Sequence, residues 1–370
     1  MTYLLTEHVR VSLTTCFLLL VFGCLSGAMN TAHAQARGYV TNTCDNTVSV
    51  IDTTTNSVID SIMVGAAPFG VAVTPDGTRV YVTSLLTSGV SVIDTATNTV
   101  IATIPVGTFL GGLAISSDGE RVYVVHRIGL ISVIDTASNT VVAAIPVGVG
   151  AFGIAISPDD TRVYVAHSDA PNFNRTVTVI DTATNTVIAV IPVNVAPTDI
   201  EITPDGTRAY ITSLLFNVVT VIDLVSNTVI ATIPTDFPPS DVAITPDGTQ
   251  VYVESPGFTA LSIIDTATNT AIGAIPVGFG FQAVTIAPDG TRAYVLNFGG
   301  KIAVVDTTSK TVVDTITSSC PAKMAIAPLI PKTKEDCKNG GYRKFGAPAG
   351  PFKNQGQCVS HVERRTRGAH

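Results

Sequence analysis

Two histidines and three carboxylates stand out in a chain poor in charge: His126, His167, Asp199, Glu201 and Asp241. Imidazole and carboxylate together hold divalent cations such as Zn²⁺, Mn²⁺ or Ca²⁺. The same groups could run acid–base chemistry, one protonated beside one ionised, as lactone opening or elimination requires. A plainer reading is a solvated funnel whose polar side chains simply tolerate water. No nucleophile motif, phosphate-binding glycine loop or His-Glu-x-x-His helix accompanies them. Everything then depends on whether the fold brings the five together.

The elements that would position them repeat. Seven tyrosines (Tyr39, Tyr81, Tyr123, Tyr164, Tyr210, Tyr252, Tyr294) mark one phase, and seven aspartates (Asp52, Asp94, Asp135, Asp181, Asp223, Asp265, Asp306) another. The period is about 42 residues, the length of one propeller blade. One period holds four strand-like segments. "FGVAVT" (69–74) is strand A, "RVYVTS" (79–84) strand B, "VSVID" (90–94) strand C and "TVIATI" (99–104) strand D. Val, Ile and Thr favour pleated strands, and Pro-Asp-Gly suits the tight A–B turn. The repeat aspartates fit turn chemistry, bonding their own backbone between strands C and D. Strand D ends in proline at 105, 146, 192, 234 and 276, which suits an exposed outer edge. Strand A should then face the axis.

Residues 37–42, "RGYVTN", open the repeat in strand B, and "KMAIAP" (323–328) closes it in strand A. The orphan A completes the orphan B–C–D. The expected architecture is all-β: a seven-bladed propeller of four-stranded antiparallel blades over 37–330, sealed by its C-terminal strand. His126, His167, Asp199 with Glu201, and Asp241 then fall on four successive blades near the top of the central channel, with Lys323 set apart on the first.

The phrases "YVTN" (39–42), "VIDTATNTV" and "TPDGTR" (74–79, 203–208) resemble the YVTN-type (forty-residue repeat) β-propeller proteins of bacteria and archaea. That resemblance implies exported or cell-surface propellers, mostly without an assigned activity, in a wider group that includes lactonase-like enzymes and haem-bearing propellers. Cys-x-x-Cys-His, the covalent haem motif, is missing, and the chain has no Trp, unlike quinoprotein dehydrogenases.

Residues 1–36 read as a secretory signal peptide: Arg10, the apolar run 11–28, then small residues ending at Ala34 and Ala36. The chain is therefore expected to be exported, periplasmic or extracellular, with no transmembrane segment after cleavage. The run is marginal for a membrane anchor, and Cys24 is a weaker acylation candidate. Four cysteines remain after cleavage, so two disulfides are expected, Cys44–Cys320 across the seam and Cys337–Cys358 in the tail. Residues 37–330 carry 11 Lys+Arg against 24 Asp+Glu, a net charge of −13, while 331–370 carry 9 against 3, a net of +6. So acidic a body argues against nucleic acid, whose binding neutralises phosphates. The basic, Gly/Pro-rich, Cys-bounded tail fits an attachment or interaction segment.

The ten phenylalanines of 37–330 fall in D–A or B–C loops, all on the top face. Phe69, Phe109, Phe152, Phe237, Phe279 and Phe281, beside His126 and His167, are candidates for ligand contact, because exposed apolar patches mark docking sites. Two functions follow. One is a non-catalytic, monomeric binding or scaffold module for a protein or envelope partner. The other is a metal-dependent hydrolase or lyase, lactonase-like, whose only cofactor would be a divalent cation.

Overall fold

A computed structural model describes residues 36–169, 174–193, 195–256, 258–278 and 280–327, without the side chains of 169, 174 and 281. These residues form twenty-eight strands in seven four-stranded antiparallel sheets. Blade 2 is typical: strands A (Pro68–Val73), B (Arg79–Ser84), C (Gly89–Asp94) and D (Thr99–Pro105) follow one another. In blade 1, strand A is the C-terminal Pro321–Ile326, paired with strand B, Arg37–Asn42. The ring closes as the repeat phase requires.

The core lies between blades. Strands B and C bury Val, Ile and Tyr almost completely, and each apolar cluster is shared by neighbouring blades. Asp94 Oδ1 accepts from the amides of Ala96 at 3.0 Å and Thr97 at 2.9 Å, and Asn98 takes the left-handed conformation at φ 54°. These bonds satisfy the C–D turn, so the repeat aspartates are structural.

Arginine at the start of strand B joins blades. Arg37, Arg79, Arg162, Arg208 and Arg292 each donate Nη1 to a backbone carbonyl in the next blade's C–D turn: Thr95, Thr136, Leu224, Thr266 and Thr53. Arg121 turns instead to Asp135 of its own blade, and blade 6 has Gln250 at this place.

Every C–D pair carries a bulge, at Val92/Ile93 in blade 2 for example. The extra residue is the second apolar one of the "TVI" phrase, so Val100 and Ile101 are exposed side by side. Bulges bend an edge strand away from further pairing, which protects seven exposed edges.

The Cys44–Cys320 disulfide is formed, with Cα atoms 5.7 Å apart. It links the B–C loop of blade 1 to the turn entering the closing strand. No helix among the described residues is long and apolar enough to cross a membrane. The signal-like segment, apart from Ala36, and Cys337, Cys358 and the tail lie outside the described residues.

Candidate functional site

The A strands of all seven blades surround a central cavity of about 210 Å³. Its wall has two halves. Blades 2, 3 and 4 contribute Gly70, Gly112 and Gly153, where neighbouring backbones approach closely. A Cβ on Gly153 would stand 2.8 Å from the Thr198 carbonyl and 2.9 Å from the Asp199 Cα. Blades 5, 6 and 1 contribute Asp199 and Glu201, Asp241, and Lys323.

Lys323 corrects the sequence reading. Its ammonium reaches past blade 7 to donate to Asp241 Oδ1 and lies 3.7 Å from Asp199 Oδ2. Asp241 Oδ2 accepts from the Val284 amide of blade 7 at 2.7 Å. One buried carboxylate thus joins blades 6, 7 and 1. Sequence order hides this, because a strand near the C-terminus closes blade 1 and a long lysine can span the axis.

A fourth carboxyl, which sequence reasoning missed, stands behind them. Glu254 ends strand B of blade 6 opposite Asp241, and its Oε2 accepts from the Ser240 hydroxyl. Glu254 is fully buried, and its Oε1 has no partner. The available signal was its position, two residues after the repeat tyrosine, where the other blades carry Thr41, Thr83, Val125, Ala166, Thr212 and Leu296.

Four carboxyls around one ammonium cannot all ionise freely. Burial pushes Glu254 up to about 7, opposed by the Ser240 bond and reinforced by Asp241. Glu201 also rises to about 7, first from the protein enclosing it and then from Asp241. Its side chain is nonetheless reached by solvent, so channel water moderates that push. Asp199 rises well above its usual range by burial, although Lys323 pulls the other way. Burial alone would lower Lys323, but Asp199 and Asp241 outweigh it and keep the ammonium charged.

The histidines do not join this group. His126 is buried in blade 3, with Nδ1 3.3 Å from the Thr108 carbonyl and Nε2 2.8 Å from Ser132 Oγ. A carbonyl only accepts, so Nδ1 carries the proton and Nε2 accepts from Ser132. His167 repeats the first contact, to the Val149 carbonyl at 3.3 Å, and its Nε2 lies buried without a partner. Ser255 likewise bonds the Phe237 carbonyl, again eighteen residues back. This position clamps the D–A loop onto strand B. It does not open onto the top of the central channel, where the sequence placed His126 and His167: Asn42, Ser84, His126, His167, Ser213 and Ser255 are all buried. Among the described residues no group of three or more His, Cys, Asp or Glu is arranged to hold a metal ion.

The aromatic residues divide. Phe69 and Phe152 meet edge to face at 5.8 Å on the cavity wall, with the Arg127 guanidinium 5.1 Å from the Phe152 ring centre. Phe237 stacks on Phe258 at 5.0 Å. Phe109 and Phe298 project into solvent at 61% and 59% exposure, with Leu86, Ile128, Leu214 and Leu215 exposed on the same face. Phe279 and the Phe281 side chain lie outside the description.

Residues 21–114 match the family model of YNCE-like β-propellers, and residues 88–213 match that of the cytochrome D1 heme domain. No curated protein matches the chain. Among solved structures, the hydrazine synthase of Kuenenia stuttgartiensis is 25% identical with a TM-score of 0.65, covering 76% of this chain and 92% of that one. A functionally unknown protein from Desulfotomaculum acetoxidans is 20% identical with a TM-score of 0.69, covering 79% and 98%. The dihydro-heme d1 dehydrogenase NirN, in complex with DHE, is 19% identical with a TM-score of 0.61, covering 78% and 74%. With seven blades on the page, the YNCE-like match supports a β-propeller family for this chain.

A haem does not fit the described residues. Both described histidines are buried inside blades, closed to a group of that size. At the cavity, Lys323 is ion-paired, and Met324 is buried, packing its Cε and Sδ toward Gly38. About 210 Å³ is below the roughly 300 Å³ at which small-molecule sites begin, and a haem's carboxylates would meet Asp199, Glu201 and Asp241.

Proposed function

We propose that this chain is an exported, non-catalytic seven-bladed propeller of the YVTN type, and that its top face receives a protein or cell-envelope partner. The observation that carries this reading is Phe109, Phe298, Leu86, Leu214 and Leu215 exposed on one face, around a mouth walled by Phe69 and Phe152. Exposed aromatic and aliphatic side chains of that density are what docking surfaces offer. The seam disulfide supports an oxidising compartment, and hence export. The lactonase-like alternative needs His126 and His167 beside the carboxylates, and both rings are engaged elsewhere.

The test is retention of solubilised envelope and periplasmic components on immobilised mature protein, compared with a Phe109→Glu/Phe298→Glu variant. Both side chains are exposed, so the fold should survive. Loss of a bound component in the variant supports the reading. Retention of every component in the double variant would show that the top face is not the docking surface.

A further inference from the structure

The bottom seam between blades 6 and 7 has no arginine to staple it, whereas at the seam between blades 3 and 4 Arg121 is present but turned to Asp135 of its own blade. Five seams are stapled by an arginine donating to the next blade's C–D turn. Here Gln250 replaces the arginine, and its side chain makes no hydrogen bond among the described residues. Thr307, which matches Thr53, Thr95, Thr136 and Thr266, receives no such donor. In their place is a cavity of about 310 Å³ lined by Asp247, Asp289, Thr249, Gln250, Thr307 and Thr308, among others.

A second, independent gap opens at the same seam. The Tyr81 and Tyr210 hydroxyls donate to Asn139 and Asn269 in the following C–D turn. The blade 7 turn carries Lys310 at that place, and the Tyr252 hydroxyl is buried without a hydrogen-bond partner, as are those of Tyr39 and Tyr294, whose following turns keep an asparagine. Each of the other repeat tyrosines feels an arginine of its own blade. Tyr252 instead faces the charges of Asp306 and Asp247. Asp247 and Asp289 commit Oδ1 to their own turns, at Thr249 and Thr291, and neither makes an ion pair among the described residues. Lys310 makes none either.

We propose that this cleft is a receptor for a cationic side chain, and that the occupant is the chain's own basic tail. The vacancy has the place and surroundings that a guanidinium fills at five sister seams. The described chain ends one blade away from it: the Ala327 amide donates to the Arg37 carbonyl at 2.8 Å, on the bottom face of blade 1, and blade 1 adjoins blade 7. Residues 328–370 follow, and 331–370 carry 9 Lys+Arg against 3 Asp+Glu. At about 3.3 Å per extended residue, that length spans one blade many times over. A tail held there supplies a cation to the one seam whose blade carries no arginine at the start of strand B, and gives the basic segment an intramolecular interaction.

The full mature chain tests this with a photo-crosslinking residue, Thr308→p-benzoylphenylalanine, at the exposed edge of the cleft. A mixture of light and isotope-labelled chains separates links within a chain from links between copies. Links from position 308 to residues 331–370 within one chain are expected, and they should vanish when Gln250→Arg supplies the missing guanidinium. No link to the tail, or links that Gln250→Arg leaves unchanged, would overturn the proposal. Links joining light to heavy chains would overturn self-occupancy in favour of a second copy.

Discussion

Lys323 pairs with Asp241 across the central channel, although 82 residues separate them and blade 7 stands between their blades. The pair has a mechanical meaning. Lys323 lies on the strand that closes blade 1, and Asp241 also holds the Val284 amide of blade 7. The closing strand is thus fastened twice, to the blade 1 B–C loop by Cys44–Cys320 and to blade 6 in the channel by this pair.

Replacing Lys323 by methionine should show how much the channel depends on one ammonium. Methionine keeps the length and removes the charge, leaving Asp241, which is 3% exposed, beside the carboxyls of Asp199 and Glu254. Breaking a buried pair on one side costs about 3–5 kcal/mol, and the partial exposure of Lys323 places this case near the lower end. Urea unfolding at pH 7 should report that loss. Adding Asp241→Asn to Lys323→Met should recover part of it, because the orphaned charge goes too.

Glu254 gives the channel a pH dependence with a definite sign. Its folded pKa, about 7, lies above the ordinary value of 4.5, so the folded state holds the proton more tightly. Its contribution to stability is present below pH 4.5 and is lost as pH rises through 7. Both buried histidines run the other way. Burial lowers them from 6.5, so their contribution is present above 6.5 and is lost as pH falls. The whole-protein curve therefore mixes opposing slopes, and a difference measurement isolates one group. Glu254→Gln has nothing to ionise, so its stability relative to the parent should rise between pH 5 and pH 8. A flat difference would mean that Glu254 is already ionised at pH 5.

The blades were legible because each phrase solves one local problem. "VIDTATNTV" encodes a turn closed by Asp94 and Asn98, and the expected strands of blade 2 fall within one residue of those observed. Ring closure was legible because Tyr39 and Met324 sit in complementary phases of the repeat. The channel was only half legible. Asp199, Glu201 and Asp241 converge as their phase requires. The histidines at the end of strand B were not legible as buried, because alternation alone does not say which side of a strand faces a neighbouring loop and which faces the channel. There His126 meets Ser132 and a loop carbonyl. Lys323 was misplaced for another reason: a repeat position fixes where a Cα stands, and its long side chain crosses the axis.

The histidine clamp predicts a stability phenotype without a metal phenotype. His126→Ala removes a buried ring and leaves Ser132 Oγ and the Thr108 carbonyl without their partner. About 2–4 kcal/mol should be lost, from the cavity and the unmet polar groups together. His167→Ala should cost less polar energy, because its Nε2 already lacks a partner. Thermal unfolding beside metal analysis by mass spectrometry checks both. A bound equivalent of metal that disappears in the double variant would restore the metalloenzyme reading.

Reduction of Cys44–Cys320 should destabilise the ring more than its single bond suggests. The bridge spans 276 residues, so cutting it releases nearly the whole propeller from one covalent loop. The chain-entropy model assigns such a loop about 5 kcal/mol, reduced by whatever the denatured chain retains. A Cys44→Ser/Cys320→Ser variant should therefore unfold at lower temperature. Lys323 makes a sharper test available, because it fastens the same closing strand, to blade 6, without a covalent bond. If both devices act on one opening event, losing both should cost less than the two separate losses added. If each fastens a different part of the ring, the losses should add to within about 0.5 kcal/mol.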